Sequence, residues 1–231
     1  MNQELVIPTH LGIILDGNRR WAKEHGLSSL EGHREGYSHL KDIAKYAFDK
    51  GVKYVSAYVF SMENWSRTKA EVKYLMSLAL RLLTIDIDEL NRENIKVLWL
   101  GSRERLSQKL LKAIANAEER TKNNTHGTLC LCFNYGGQQE IADAVKSIVS
   151  RNISLDKITP ELIEDSLYGN AVPPIDLLVR TSGEHRLSGF MLYRSAYAEL
   201  YFVNKQWPDF SNSDLDDAIV DFSTRSRRFG K

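Results

Sequence analysis

Residues 11–22, LGIILDGNRRWA, decide the fold. Leu11-Gly12-Ile13-Ile14-Leu15 is a short continuous apolar run bounded by turn residues, the pattern of a strand covered on both faces. Ligands of α/β proteins bind beyond the carboxyl ends of such strands, so Asp16 at the tip is expected to point into a site and not into the core. Gly17-Asn18-Arg19-Arg20 then turns into a helix. Free amides at a helix start, a glycine that permits close approach and arginines able to bond phosphate bidentately together form an anion cradle. A carboxylate beside a phosphate would repel it unless a cation lay between them. Mg²⁺ commonly binds through one or two carboxylates plus substrate phosphates, so the stretch predicts a magnesium diphosphate site.

Working outward, strand-like runs recur at Tyr54 to Phe60, Ile95 to Leu100, Leu129 to Phe133 and Ile175 to Val179, with Glu199 to Val203 a weaker sixth. Helical patterns lie between most of them. Tyr37, Leu40, Ala44, Ala47 and Phe48 share one helical face that stops at Gly51. Further helices are predicted over Lys69 to Arg92, Arg105 to Lys122 and Gln138 to Val149. Thr159-Pro160 opens a short one, and Leu215, Ala218, Ile219 and Phe222 make a last stripe. The alternation predicts an α/β protein of one domain, residues 1–231, with a mostly parallel sheet of about six strands flanked by helices.

Two more loops collect polar residues after a strand. FSMENWSRT brings together Ser61, Glu63, Asn64, Trp65 and Arg67, and RTSGEHRLSGF brings Arg180, Arg186 and Ser188. Arginines at the ends of separate strands concentrate positive charge locally, in a chain of 231 residues whose formal net charge is only +1. That balance provides no field for broad nucleic-acid binding. The helix after Lys69 carries VKYLMSLALRLL, apolar around more of its circumference than a surface helix needs, and suits a hydrophobic cleft beside the site. The sequence shows neither a leader pattern at its start nor a spanning segment, so a cytoplasmic protein is expected. Cys130 and Cys132 alternate on one strand face and read as buried thiols. No histidine pair has the spacing of a zinc site.

From His10 to Lys231 the chain resembles the cis-prenyltransferase family. The motifs that carry the likeness are HLGIILDGNRRWA, Gly32-His33, FSMENWSRTKAEV, NYGG at 134–137, DLLVRTSGEHRLSGFMLY, AYAELYF with WPDF, and the terminal RRFG. The resemblance implies a hydrophobic tunnel in the fold and the Mg²⁺-dependent condensation of isopentenyl diphosphate with an allylic diphosphate. Asp16 and Glu199 would hold the metal. Gly17, Asn18, Arg19, Arg20 and His33, with Trp21 beside them, would bind the starter diphosphate. Arg180, Arg186 and Ser188 would take the diphosphate of isopentenyl diphosphate. Asn64, with Ser61, Glu63 and Arg67, would position that substrate and manage proton loss, while Trp65 and Glu71 support the loop. The family also implies a homodimer, a terminal Arg228-Phe229-Gly230 that closes over the site, and transient membrane contact as product leaves.

Two departures from the family pattern, with Phe133 narrowing the same region, bear on the product. Ser29 stands where most members place an arginine, Val59 replaces a small residue before Phe60-Ser61, and Phe133 precedes NYGG. Bulky groups in a packed tunnel obstruct a growing tail, so a short or medium chain is expected, with an undecaprenyl-length carrier lipid as the alternative. A haloacid-dehalogenase-type phosphatase would need aspartate where Asn18 stands. A trans-type synthase would need a third aspartate where Val220 stands. A non-catalytic subunit of this family would not need both Asp16 and Glu199.

Overall fold

The computed structural model describes residues 5–227. Six strands, β1 (His10–Ile14), β2 (Tyr54–Ser61), β3 (Ile95–Leu100), β4 (Gly127–Tyr135), β5 (Leu177–Arg180) and β6 (Glu199–Phe202), form one sheet. Their order is β3-β4-β2-β1-β5-β6, and every pairing is parallel. The chain first builds outward from β1 through β2, β3 and β4, then crosses to the other side of β1 for β5 and β6. The β1/β5 boundary is therefore the topological switch point, where helices leave in opposite directions and a crevice opens.

The helices are α1 (Asn18–Glu24), α2 (Ser29–Asp49), α3 (Lys69–Arg81), α4 (Ile87–Arg92), α5 (Gln108–Thr121), α6 (Gly137–Ser150), α7 (Pro160–Glu164) and α8 (Asn212–Thr224). Ser28 caps α2 in a reciprocal box with Glu31, and Thr68 caps α3 through the Glu71 amide. The helix predicted from Lys69 to Arg92 is interrupted. Leu82–Asp86 forms a π-turn between α3 and α4, keeping Leu82, Leu83 and Ile87 buried while Asp86 accepts from the Tyr37 hydroxyl. β5 begins two residues later than predicted, because the Ile175 amide donates to the Arg194 carbonyl instead of to the ladder.

Strand alternation sorts the core into two faces. Leu129, Leu131 and Phe133 of β4, with Val97 and Trp99 of β3, face α2 and α3. Cys130 and Cys132 belong to the cluster on the opposite face, and burial pushes the Cys130 thiol up to about 12. α1 and α2 approach closely because Gly32 has no side chain: a Cβ there would lie 2.2 Å from the Asn18 carbonyl oxygen. That contact seats His33 beside the first turn of α1.

Candidate active site

Asp16 follows β1 and Arg180 ends β5, so the switch point itself brings them together. Arg180 donates to the Asp16 carboxylate at 2.9 Å and to the Ser188 hydroxyl at 2.8 Å, and also to the Arg186 carbonyl. Arg20, one turn into α1, approaches the other Asp16 oxygen at 3.4 Å, and the Gly17 amide donates to that oxygen at 2.8 Å. Gly17 has φ 106°, and a Cβ would meet Gln206 and Ser182 at 2.9 Å, so the turn from β1 into α1 requires glycine. The Asp16 carbonyl is fixed by the Thr181 hydroxyl and the Trp207 amide.

Two spaces meet at Asp16. One is an open basin bordered by Arg19, Arg20, Lys23, Ser29, His33 and Arg67. The other is an apolar cavity of about 210 Å³ between the sheet and α2 and α3. Its mouth carries Asp16, Asn64, Arg67 and Arg180; its walls carry Leu40 of α2 and Leu75, Leu78 and Ala79 of α3, the apolar helix expected beside the site. Val59 and Phe133 both line this cavity. The β2–β4 register shifts between Tyr58 and Phe60, so Val59 occupies a bulge that the sequence pattern did not reveal.

His33 and Arg67 border both spaces and share one partner. His33 Nε2 lies 2.9 Å and Arg67 3.0 Å from the same Glu71 oxygen. Burial holds the His33 imidazole below its ordinary range, helped by the Arg67 and Arg19 charges and opposed by Glu71. For Glu71, burial acts upward, but the His33 hydrogen bond and the Arg67 charge outweigh it and keep the carboxyl below its ordinary range. Asn64 belongs to the short helical turn Met62–Ser66, where its side-chain oxygen accepts from the Ser61 amide at 3.1 Å.

Several predicted site residues are placed elsewhere. Trp21 lines neither space: its indole N–H donates to Asp209 at 2.7 Å and its ring stacks on His25, tying α1 to the Trp207–Asp209 turn. Trp65 donates to Asn134 at 2.7 Å, supporting the loop from behind, and Glu63 is exposed. Arg186 pairs with Glu184 at 2.6 Å, at the rim. Glu199 is not brought to Asp16. It opens β6 at the level of Leu177, whereas Asp16 lies beyond the level of Arg180 and Phe202, roughly 16 Å further along the strands. There it pairs with Arg225 at 2.9 Å. Arg228-Phe229-Gly230 lies outside the described residues. Sequence reasoning missed Trp99 as a cavity residue, although the Ile95, Val97, Trp99 alternation gave the signal. Among the described residues no three His, Cys, Asp or Glu side chains form a metal cage, so a cation here would depend on one carboxylate and a phosphate-bearing ligand.

Fold and site together define an α/β protein in which a basin bordered by arginines meets the mouth of an apolar cavity. Residues 14–230 match the family model for undecaprenyl diphosphate synthase, and the chain belongs to that prenyltransferase family. It is 46% identical to an isoprenyl transferase of Thermotoga maritima, over 97% of both chains. It is 44% identical to the Micrococcus luteus ditrans,polycis-undecaprenyl-diphosphate synthase specific for (2E,6E)-farnesyl diphosphate, over 97% of this chain and 92% of that one. The crystal structure of lavandulyl diphosphate synthase from Lavandula x intermedia, solved with dimethylallyl diphosphate, superposes with a TM-score of 0.93 at 35% identity, covering 97% and 99% of the two chains.

Proposed function

We propose that this protein is a Mg²⁺-dependent cis-prenyltransferase that joins an allylic diphosphate to isopentenyl diphosphate and releases diphosphate. One observation carries the reading: the Asp16–Arg180 pair stands where a cationic basin opens into an apolar cavity. The basin suits a diphosphate and the cavity suits its hydrocarbon tail. Asp16 is 31% exposed and open to both spaces, so its carboxylate fits a hard cation shared with substrate phosphate. Bound there, Mg²⁺ would neutralise charge developing on the departing diphosphate.

The chain's own groups account for the rest. Gly17, Asn18, Arg19 and Arg20 cradle the starter diphosphate at the start of α1, with His33 bonding to it. Arg180, Arg186 and Ser188 hold the diphosphate of isopentenyl diphosphate. Asn64, Ser61 and Arg67 orient the alkene so that its terminal carbon faces the allylic carbon as the carbon–oxygen bond breaks. Bond formation moves the positive charge to the substituted alkene carbon, and loss of a proton from the methylene between that carbon and the diphosphate-bearing carbon then gives an allylic product. Donors fixed before reaction favour the charge-separated transition state most, and the apolar cavity keeps water from the allylic cation.

Val59 and Phe133 support a product of short or medium length, and Ser29 leaves the basin one cation short of the usual family pattern. The relatives span both possibilities: one is an undecaprenyl synthase, while the solved lavandulyl enzyme holds a five-carbon starter. Homodimeric assembly in the cytoplasm, with transient membrane contact for product release, completes the reading; no described helix is long and apolar enough to cross a membrane.

The test is to incubate the protein with Mg²⁺, radiolabelled isopentenyl diphosphate and dimethylallyl, geranyl or farnesyl diphosphate, then size the products. Incorporation that chelation abolishes is expected. Folded protein that incorporates label with none of the three starters overturns the reading.

A further inference from the structure

A buried tryptophan usually finds an acceptor for its indole N–H. Trp21, Trp65 and Trp207 donate to Asp209, Asn134 and the Gly36 carbonyl. Trp99 is 4% exposed and its Nε1 bonds to nothing. A hydrogen bond therefore does not account for an indole at this position. Its location suggests another role. β3 is the edge strand, three strand spacings from β1, so Trp99 stands roughly 14 Å across the sheet from the Asp16 end of the cavity it lines. Its ring leans on Phe133 with centroids 4.7 Å apart, and Phe133 stacks on Phe60 at 4.8 Å. The far end is thus an aromatic wall.

We propose that Trp99 sets the length of the product by closing the blind end of the tail cavity. The inference rests on the prenyl-transfer reading and extends it to product class. A cavity of about 150 Å³ accommodates benzene, six carbons. By that ratio the 210 Å³ available here takes roughly eight or nine carbons, fewer than two isoprene units. A longer tail must push the wall back, and forcing extra methylenes into a packed interior is unfavourable. Phe133 is pinned between two rings, whereas Trp99 is held by packing alone, so the indole is the part of the wall that a growing chain meets and that sequence can change. Its backbone amide is independently anchored on Glu118 at 2.9 Å, and truncating the ring orphans no acceptor. The product is accordingly short, far below undecaprenyl length.

The experiment compares wild type with Trp99→Leu and Trp99→Ala, each checked for folding by circular dichroism and thermal melting. Products from dimethylallyl diphosphate, labelled isopentenyl diphosphate and Mg²⁺ are sized. Lengthening by at least one isoprene unit is expected in the leucine variant, and by more in the alanine variant. Separately, geranyl and geranylgeranyl thiolodiphosphates, which bind without reacting, are titrated into each protein. Wild type should favour the ten-carbon tail by tenfold or more, and Trp99→Ala should reduce that ratio below threefold. A folded variant with an unchanged product ladder, or a wild type that binds both tails equally, overturns the proposal while leaving the reaction standing. No incorporation by any form removes the reaction and this proposal with it. Should the alanine variant not fold, the leucine variant decides by the same readouts.

Discussion

Two arginine–carboxylate pairs in this molecule have the same chemistry and opposite surroundings. Arg194 and Glu140 are both 0% exposed and lie 2.8 Å apart. Arg194 also donates to the carbonyls of Val172, Tyr168 and Gly169, and the second Glu140 oxygen accepts from the Tyr135 hydroxyl. Arg180 and Asp16 are 2.9 Å apart, yet Asp16 is 31% exposed and Arg180 Nε bonds to nothing. The first pair is saturated and sealed, so it can only hold structure. In the second, Asp16 opens to both spaces, so its carboxylate can exchange partners for a ligand.

Removing one carboxylate from each pair should separate the roles, and the largest effect falls on the open pair. Asp16→Ala is expected to lower turnover by about a thousandfold or more, roughly 4 kcal/mol of transition-state stabilisation, with a melting temperature close to wild type. Steady-state incorporation of labelled isopentenyl diphosphate, run beside a thermal melt, checks both halves. Ordinary turnover in the variant would remove Asp16 from the chemistry.

The sealed pair should behave in the opposite sense. Glu140→Ala leaves a charged guanidinium buried without its partner, and the expected cost is about 3–4 kcal/mol of folding stability. Glu140→Ala combined with Arg194→Met should recover much of that loss, because the uncompensated charge is gone. Urea denaturation of the single and double variants measures it. If the double variant is no more stable than the single, the pair is not the isolated electrostatic unit described here.

The contrast between the pairs also shows where sequence reading reached and where it stopped. Asp16 was legible because an apolar run ending in Asp-Gly-Asn-Arg-Arg has few physical interpretations, and strands alternating with helices fix which end of the sheet bears ligands. Arg180 followed from the same rule applied to β5. Trp21 was assigned by resemblance along with its neighbours, and the structure places its side chain outside both spaces. It lies one helical turn after Asn18, which faces the site, but its own side chain runs to Asp209. Glu199 was assigned by resemblance, and only the β5–β6 register shows that it lies at the far end of its strand. The bulge at Val59 and the π-turn at 82–86 are adjustments to tertiary packing, which leave the hydrophobic period almost unchanged and so give little local signal.

A third test sits at the amino-terminal end of the sheet, away from the Asp16–Arg180 pair and within reach of the Arg194 charge. His10 is fully buried, with Nδ1 2.7 Å from the Pro173 carbonyl and Nε2 2.8 Å from the Ser56 hydroxyl. Burial, with a smaller contribution from the Arg194 charge, outweighs the Pro173 bond and Asp176 and pushes its pKa from 6.5 to about 4. The folded chain therefore refuses a proton that the unfolded chain accepts between those values. Stability should be full above pH 6.5 and fall as pH drops towards 4, by about 3 kcal/mol from this residue. Denaturant midpoints at pH 7 and pH 4.5, compared with a folded His10→Gln variant that lacks the slope, decide the point.

The smallest effect probes a carboxylate intermediate between the two pairs. Glu71 is nearly buried, its partner Arg67 is 27% exposed, and His33 shares the same oxygen. A carboxylate can only accept, so His33 Nε2 carries the proton and Nδ1 is the nitrogen whose state responds to pH. Burial, Arg67 and Arg19 push that response down, while Glu71 holds it up. Glu71→Gln removes the opposing charge, so the imidazole should titrate further below 6.5 than in wild type. Nitrogen-edited NMR of the His33 ring reads both values directly. A rise in the variant would mean that Glu71 works chiefly by positioning Arg67, and that the arginine charge on His33 is set through this carboxylate instead of against it.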